Sequence, residues 1–98
     1  MDVSFSLHGI RFEWDERKGA ATLRRRGVAF ETACEVFFDP LVAFLGSEIV
    51  NREERDAVIG MTGQWRLLVV TYTIRGETIR TISVREPTHA ERKNYEDR

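Results

Sequence analysis

The feature that most constrains the fold is the stretch from Trp65 to Arg85, WRLLVVTYTIRGETIRTISVR. Two runs rich in β-branched and aromatic residues, residues 66–74 and 78–84, flank Arg75-Gly76-Glu77. Such runs suit a pleated, half-buried strand, and glycine supplies the positive φ of a tight reversal. The stretch predicts an antiparallel hairpin at the centre of a small sheet. Arginine is its unusual component, because Arg66, Arg75, Arg80 and Arg85 all lie in or at the ends of the strands. Strict alternation puts Arg80 on one face with Ile82 and Val84, and Arg85 on the other with Ile79, Thr81 and Ser83. A bulge or a strand end is needed to bring both to one site. Burying an unpaired guanidinium is costly, so two readings follow. The arginines pair with carboxylates such as Glu13, Glu54 or Glu77, or they form a surface that grips two phosphate oxygens at once. Spacing leaves both open.

The rest of the chain supplies elements to surround that hairpin. Its 98 residues, 42% of them hydrophobic, suffice for a single domain with one modest core and no need of a disulfide or metal. Residues 1–9 are weakly patterned and read as a partly disordered or upstream extension. Residues 10–14 alternate apolar and charged, as a short strand does. Asp15 is a good N-cap for a helix over residues 16–26, and Gly27 is its stop. In that helix Ala20, Ala21 and Leu23 are expected to face inward, ringed by Arg17, Lys18, Arg24, Arg25 and Arg26. Residues 30–38 read as a second helix that Asp39-Pro40 closes. Residues 41–45 form an apolar extended segment, with 46–51 either its continuation or a loop, and 56–61 form the next strand. After the hairpin and Pro87, Thr88-His89-Ala90-Glu91 has the form of a capping box that opens a last helix to about Tyr95. The order β-α-α-β-β-β-α implies an α+β fold: an antiparallel sheet of about four strands, two N-terminal helices and one C-terminal helix, the helices largely on one face.

Composition limits the chemistry. The net charge is −1, so any nucleic-acid surface must be a local patch. The basic helix face reads either as a solvated surface or as one wall of a groove for a nucleic-acid backbone. His8 and His89 stand apart from any ligand-spaced group, Cys34 is the single cysteine, and no metal or cofactor site is expected. Cys34 reads as a small buried apolar residue and fits a reducing cytosol. The glycines are too scattered for a phosphate-cradling loop, and there is no Gly-x-Ser-x-Gly elbow. No apolar run reaches the length of a membrane span and the N-terminus has no signal-peptide pattern, which suggests a cytoplasmic protein.

Several motifs together resemble a known family. Phe12-Glu13-Trp14-Asp15 with Lys18 beyond it resembles the opening of the BrnT toxin family. Gly27-Val28-x-Phe30-Glu31 and Val36-Phe37-x-Asp39-Pro40 are similar to its second block, and Glu53-x-Arg55 with Ile59-Gly60 to its third. Arg66-Leu67-Leu68-x-Val70, Ile79-Arg80-x-Ile82-Ser83-x-Arg85 and Glu91-Arg92-x-x-Tyr95 resemble the remainder. The resemblance runs from about Arg11 to Glu96. It implies a RelE-like α+β ribonuclease, the toxin half of a type II toxin–antitoxin pair. Such a toxin is neutralised by a BrnA-like antitoxin and reaches DNA only through the antitoxin complex. The chain departs from the family's pattern at Thr22, often Asn in relatives, and at Arg25-Arg26, where Lys-His is usual. Ala29 replaces a Ser N-cap, and Glu86-Pro87 stands in place of Lys-Ala.

On that reading the protein is an endoribonuclease that works without metal, because RNA carries its own nucleophile in the 2′-hydroxyl. Arg80 and Arg85 are then the first candidates for stabilising phosphoryl charge, followed by Arg66 and Lys18. Glu54 or Tyr95 would move protons, while Arg24, Arg25, Arg26 and Arg75 would hold the RNA backbone. The alternative is a non-catalytic RNA- or protein-binding module that pairs with an antitoxin-like DNA-binding protein.

Overall fold

A computed structural model describes residues 1–97. The chain runs β1 (Asp2–Leu7), β2 (Ile10–Asp15), α1 (Glu16–Arg26), α2 (Phe30–Ala33), a 3₁₀ turn (Cys34–Phe38), β3 (Ala43–Val50), β4 (Glu53–Met61), β5 (Leu67–Arg75), β6 (Thr78–Arg85) and α3 (His89–Glu96). The strands form one sheet in the order β1-β2-β6-β5-β4-β3. Its neighbours are antiparallel except β2 and β6, which run parallel. The class is α+β, as the pattern implies. The described residues hold six strands in a mixed sheet, however, rather than about four in an antiparallel one.

Both differences are local in origin. The segment expected to be an extension is the edge strand β1, whose Val3, Phe5 and Leu7 pack on the core beside β2. Its link to β2 is a two-residue turn in which His8 and Gly9 sit at φ 50° and 82°. Two successive positive φ values give the turn whose twist matches the strands it joins. Residues 46–50 continue β3, and a second such turn at Asn51 and Arg52 (φ 51° and 66°) leads into β4. The predicted hairpin is present as β5 and β6 in the middle of the sheet, with Gly76 at φ 62° in its turn.

Helices cover both faces, not one. Phe12, Trp14, Val58, Leu68, Val70 and Val84 meet Val28, Phe30, Ala33, Cys34 and Val36 of the α1–α2 side. On the other face Ile59, Leu67 and Val69 pack with Tyr95 of α3. The continuous buried run Leu67–Val70 explains this, because apolar residues on both faces of a strand need cover on both sides. Burial raises the Cys34 thiol to about 12, so it stays a neutral core group. Among the described residues no helix is long and apolar enough to cross a membrane.

α1 begins and ends where its caps predict. Asp15 accepts from the backbone N–H of Arg17 at 2.8 Å and of Lys18 at 3.2 Å, and Gly27 closes the helix at φ 69°. Its inward face differs from expectation: Gly19 and Thr22 are buried, while Ala20 and Leu23 are exposed. The cause is the closeness of the seat. A Cβ on Gly19 would lie 3.0 Å from Trp14 Nε1, so the helix rests on the indole through a missing side chain. α2 starts at Ala29 with no side-chain cap and gives way after four residues to the 3₁₀ turn.

That turn touches the sheet just as closely. A Cβ on Gly60 of β4 would stand 2.7 Å from the Val36 carbonyl oxygen, and backbone cannot yield as a side-chain tip can. Gly60→Ala is therefore expected to destabilise the protein by roughly 1–3 kcal/mol through overpacking. A thermal melt checks this, and an unchanged midpoint would mean that the turn is free to move outward.

Candidate functional site

The parallel pairing of β2 with β6 is short: Arg11 faces Thr78, Phe12 faces Ile79 and Glu13 faces Arg80. Beyond it the chain of β2 enters α1, so the far half of β6 runs beside a helix instead of a strand. The space left between them is a groove of about 400 Å³. One wall is Lys18, Ala21, Thr22, Arg25 and Arg26 of α1, with Arg17 beside them. These positions recur at the three- and four-residue spacing of a single helix face. The other wall is Ile82, Ser83, Val84 and Arg85 of β6.

Five lining side chains are cationic, and none of the described lining residues is acidic. Among the described residues no carboxylate pairs with Lys18, Arg25 or Arg26. Lys18, Arg25, Arg26 and Arg85, four of the residues picked out from sequence, thus come together. Cations on facing walls create a local positive potential on a chain whose net charge is −1. Among the described residues no group of three or more His, Cys, Asp or Glu side chains is placed to hold a metal ion.

Arg85 lines the end of the groove from the face of the sheet that α3 covers, and a bulge in β6 puts it on that face. Thr81 pairs with Tyr72 and Ser83 with Thr71, which leaves Ile82 as an extra residue. One extra residue reverses the alternation that follows it. Arg80 and Arg85 therefore share a face that ideal alternation denies them, opposite Thr73 and Val69 respectively. Sharing a face does not bring them to one site, since four strand residues separate their partners by about 13 Å. Glu91 of α3 takes Arg85 in a two-pronged grip at 2.8 and 3.0 Å. Glu91 also closes the capping box of α3, accepting from Thr88 N–H at 2.8 Å. Arg85 above all, then the Thr88 N–H, holds its carboxyl down at about 2.

The remaining candidates lie elsewhere. Arg80 donates to Glu13 at 2.7 Å and to Asp2 at 3.1 Å, with only 14% of its side chain exposed. It is a member of an ion-pair set joining β1, β2 and β6. Arg75 extends that set, 3.1 Å from Glu53 and 4.0 Å from Glu13. Arg66 donates to the Arg26 carbonyl at 2.9 Å and pairs with Glu86 at 3.1 Å, so it clamps the C-terminal end of α1 beside the groove. Arg24 is exposed on α1 outside the lining residues. Glu54 is an exposed residue of β4 whose backbone carbonyl accepts from the Thr73 hydroxyl at 2.8 Å. Tyr95 is buried, and its hydroxyl donates to Asp39, which also accepts from Met61 N–H at 2.7 Å. Ser83 and Thr22 line the groove although sequence reasoning passed over them. Thr22 was legible from its helical spacing to Lys18 and Arg26, whereas Ser83 lines the groove because β6 there runs beside α1 instead of β2.

Two expectations follow. Glu91 has its carboxyl depressed from 4.5 to about 2, so its contribution to stability is present above 4.5 and disappears as the pH falls through about 2. Acid melts should show a larger loss over that window in the wild type than in Glu91→Gln; equal losses would mean that the pair adds no stability. Arg80→Ala leaves partly buried Glu13 without its closest cation and should cost roughly 1–3 kcal/mol, which a denaturant titration measures.

A comparison with curated proteins finds no match. Residues 14–91 match the family described as "Ribonuclease toxin, BrnT, of type II toxin-antitoxin system". The matched span contains both walls of the groove and the Glu91 that holds Arg85. It covers well over half of the 98 residues, and the chain belongs to the BrnT family of ribonuclease toxins of type II toxin–antitoxin systems.

Proposed function

We propose that this toxin cleaves cytoplasmic RNA in the groove between α1 and β6, without a metal ion, and that a BrnA-like antitoxin neutralises it by covering that groove. The convergence of Lys18, Arg25, Arg26 and Arg85 from two elements onto one track is the observation that carries the reading. A backbone with one negative charge per nucleotide fits between the two cationic walls. The same five cations disfavour a divalent metal, and the lining offers hydroxyls and amines rather than carboxylate oxygens.

The chemistry then lies mostly in the substrate. The RNA 2′-hydroxyl attacks the adjacent phosphorus and loses its proton to water. The 5′-oxygen–phosphorus bond breaks, leaving a 2′,3′-cyclic phosphate and a 5′-hydroxyl. Arg85, held in place by Glu91, stabilises the charge that grows on the phosphoryl oxygens. Its Nη1 donates to Glu91 and to the Glu86 carbonyl and its Nη2 donates to Glu91, three hydrogen bonds from five N–H groups, so two can meet the phosphate. Lys18, on the facing wall, protonates the departing 5′-oxygen and recovers its proton from water. Arg25 and Arg26 hold the flanking phosphates. Arg66 supports the site by fixing the end of α1. Glu54 and Tyr95 act elsewhere in this scheme, Tyr95 as an anchor of α3 through Asp39. An acidic or helical antitoxin segment would find the groove by complementary charge.

Cleavage of single-stranded RNA in EDTA, with cyclic phosphate at the new 3′ ends, tests the reading. Lys18→Ala should lower turnover about 10²–10³-fold while the melting midpoint stays in place, since Lys18 is exposed and unpaired. Arg85→Ala should lose a similar factor and also some stability, because Glu91 is left without its cation. Wild-type rates in both variants would remove the groove from the reaction.

A further inference from the structure

Trp65 is the most exposed aromatic side chain of the described residues, at 84%. Its backbone sits at φ 65°, a region that bulky residues enter only at a cost and glycine enters freely. The turn that holds it is firmly built. Thr62 N–H donates to the Arg66 carbonyl at 2.9 Å, and Trp65 N–H donates to the Thr62 carbonyl at 3.0 Å. The Thr62 hydroxyl accepts from Arg66 N–H at 3.2 Å, and Glu35 accepts from Gly63 N–H at 2.8 Å. Neither burial nor backbone preference accounts for a tryptophan here. A strained residue held by an over-determined turn is a pointer to function.

The position says which function. Trp65 borders a mostly apolar cleft of about 380 Å³ with Phe38, His8 and Met61. The next residue, Arg66, clamps the Arg26 end of the cationic groove. Consecutive Cα atoms are about 3.8 Å apart, so the backbone of Trp65 lies one residue beyond the clamp at the Arg26 end. A nucleic-acid backbone brings with it flat apolar bases that need a surface to stack on, and every base has a suitable face. We propose that Trp65 is a stacking platform for one nucleobase of single-stranded RNA at the Arg26 end of the groove. This rests on the groove being the RNA track. Anchoring one base fixes the register of the strand, and so decides which phosphodiester comes to lie between Lys18 and Arg85.

Binding of a short mixed-sequence 2′-O-methyl RNA, which has no free 2′-hydroxyl and cannot be cleaved, tests this apart from catalysis. Trp14 is buried at 3% exposure, so quenching of the accessible indole on binding reports Trp65 directly. Trp65→Ala should weaken binding about five- to a hundredfold, and Trp65→Phe much less. Trp65→Gly should bind as weakly as Trp65→Ala yet melt no lower than the wild type, because glycine relieves the strained φ. An abasic strand of equal length should bind the wild type and Trp65→Ala alike. Wild-type affinity in Trp65→Ala overturns the platform; if Lys18→Ala/Arg25→Ala still binds weakly, the groove reading survives that failure. Weak binding by Trp65→Ala beside normal binding by Lys18→Ala/Arg25→Ala overturns the groove as the track, and with it the platform as its continuation. Loss of antitoxin binding alone, with RNA binding intact, assigns the surface to a protein partner and overturns the proposal.

Discussion

The contact between Arg80 and Glu13 joins residues 67 positions apart in sequence and fixes where the N-terminal hairpin meets the C-terminal half of the sheet. It lies at the last registered pair of the only parallel strand junction among the described residues. A parallel junction has no tight turn to set its register, so side chains must do it. The apolar pairing of Phe12 with Ile79 gives the junction its hydrophobic share, and Arg80 with Glu13 and Asp2 secures the polar face. Where this junction ends, α1 begins, and the divergence of helix from strand opens the groove. A pair that looks like one more surface ion pair thus sets the geometry of the site without entering it.

Charge is distributed in the same spirit. A nearly neutral chain has a strongly basic groove because its carboxylates are engaged elsewhere. Asp2 and Glu13 hold Arg80, Glu53 holds Arg75, Glu86 holds Arg66, and the acids of α3's last turn pair along their own helix. What remains on α1 is uncompensated. Arg85 is intermediate: Glu91 orients it and lowers its net charge toward the groove. The carboxylate that completes a helix cap thereby also positions a groove arginine, coupling the folding of α3 to the order of the site.

Local signals in the sequence were legible and non-local ones were not. Asp15, Gly27, Gly76 and the Thr88–Glu91 capping box each act within a few residues, and each marks the element boundary expected of it. β1 was missed although Val3, Phe5 and Leu7 alternate, because His8-Gly9 lacks the Asn or Asp that usually announces a mirror-image turn. The inward face of α1 was misjudged because its closest contact is made by an absent side chain at Gly19, which hydrophobic periodicity cannot register. The α1 wall of the groove could be read from helical spacing. Its partner wall could not, since it depends on where β6 stops pairing with β2.

The bulge at Ile82 has a consequence for how this protein can vary over evolutionary time. Downstream of an extra residue, every side chain owes its face to chain length rather than to its own chemistry. Deleting one residue there, without altering any other, would turn Arg85 into the core of Phe12, Trp14 and Val70, and Val84 away from that core toward the side where Glu91 now meets Arg85. β6 should therefore accept substitutions far more readily than single-residue insertions or deletions. Lineages of this chain would be expected to differ in length within loops rather than within β6, and to keep the spacing between Arg80 and Arg85 constant.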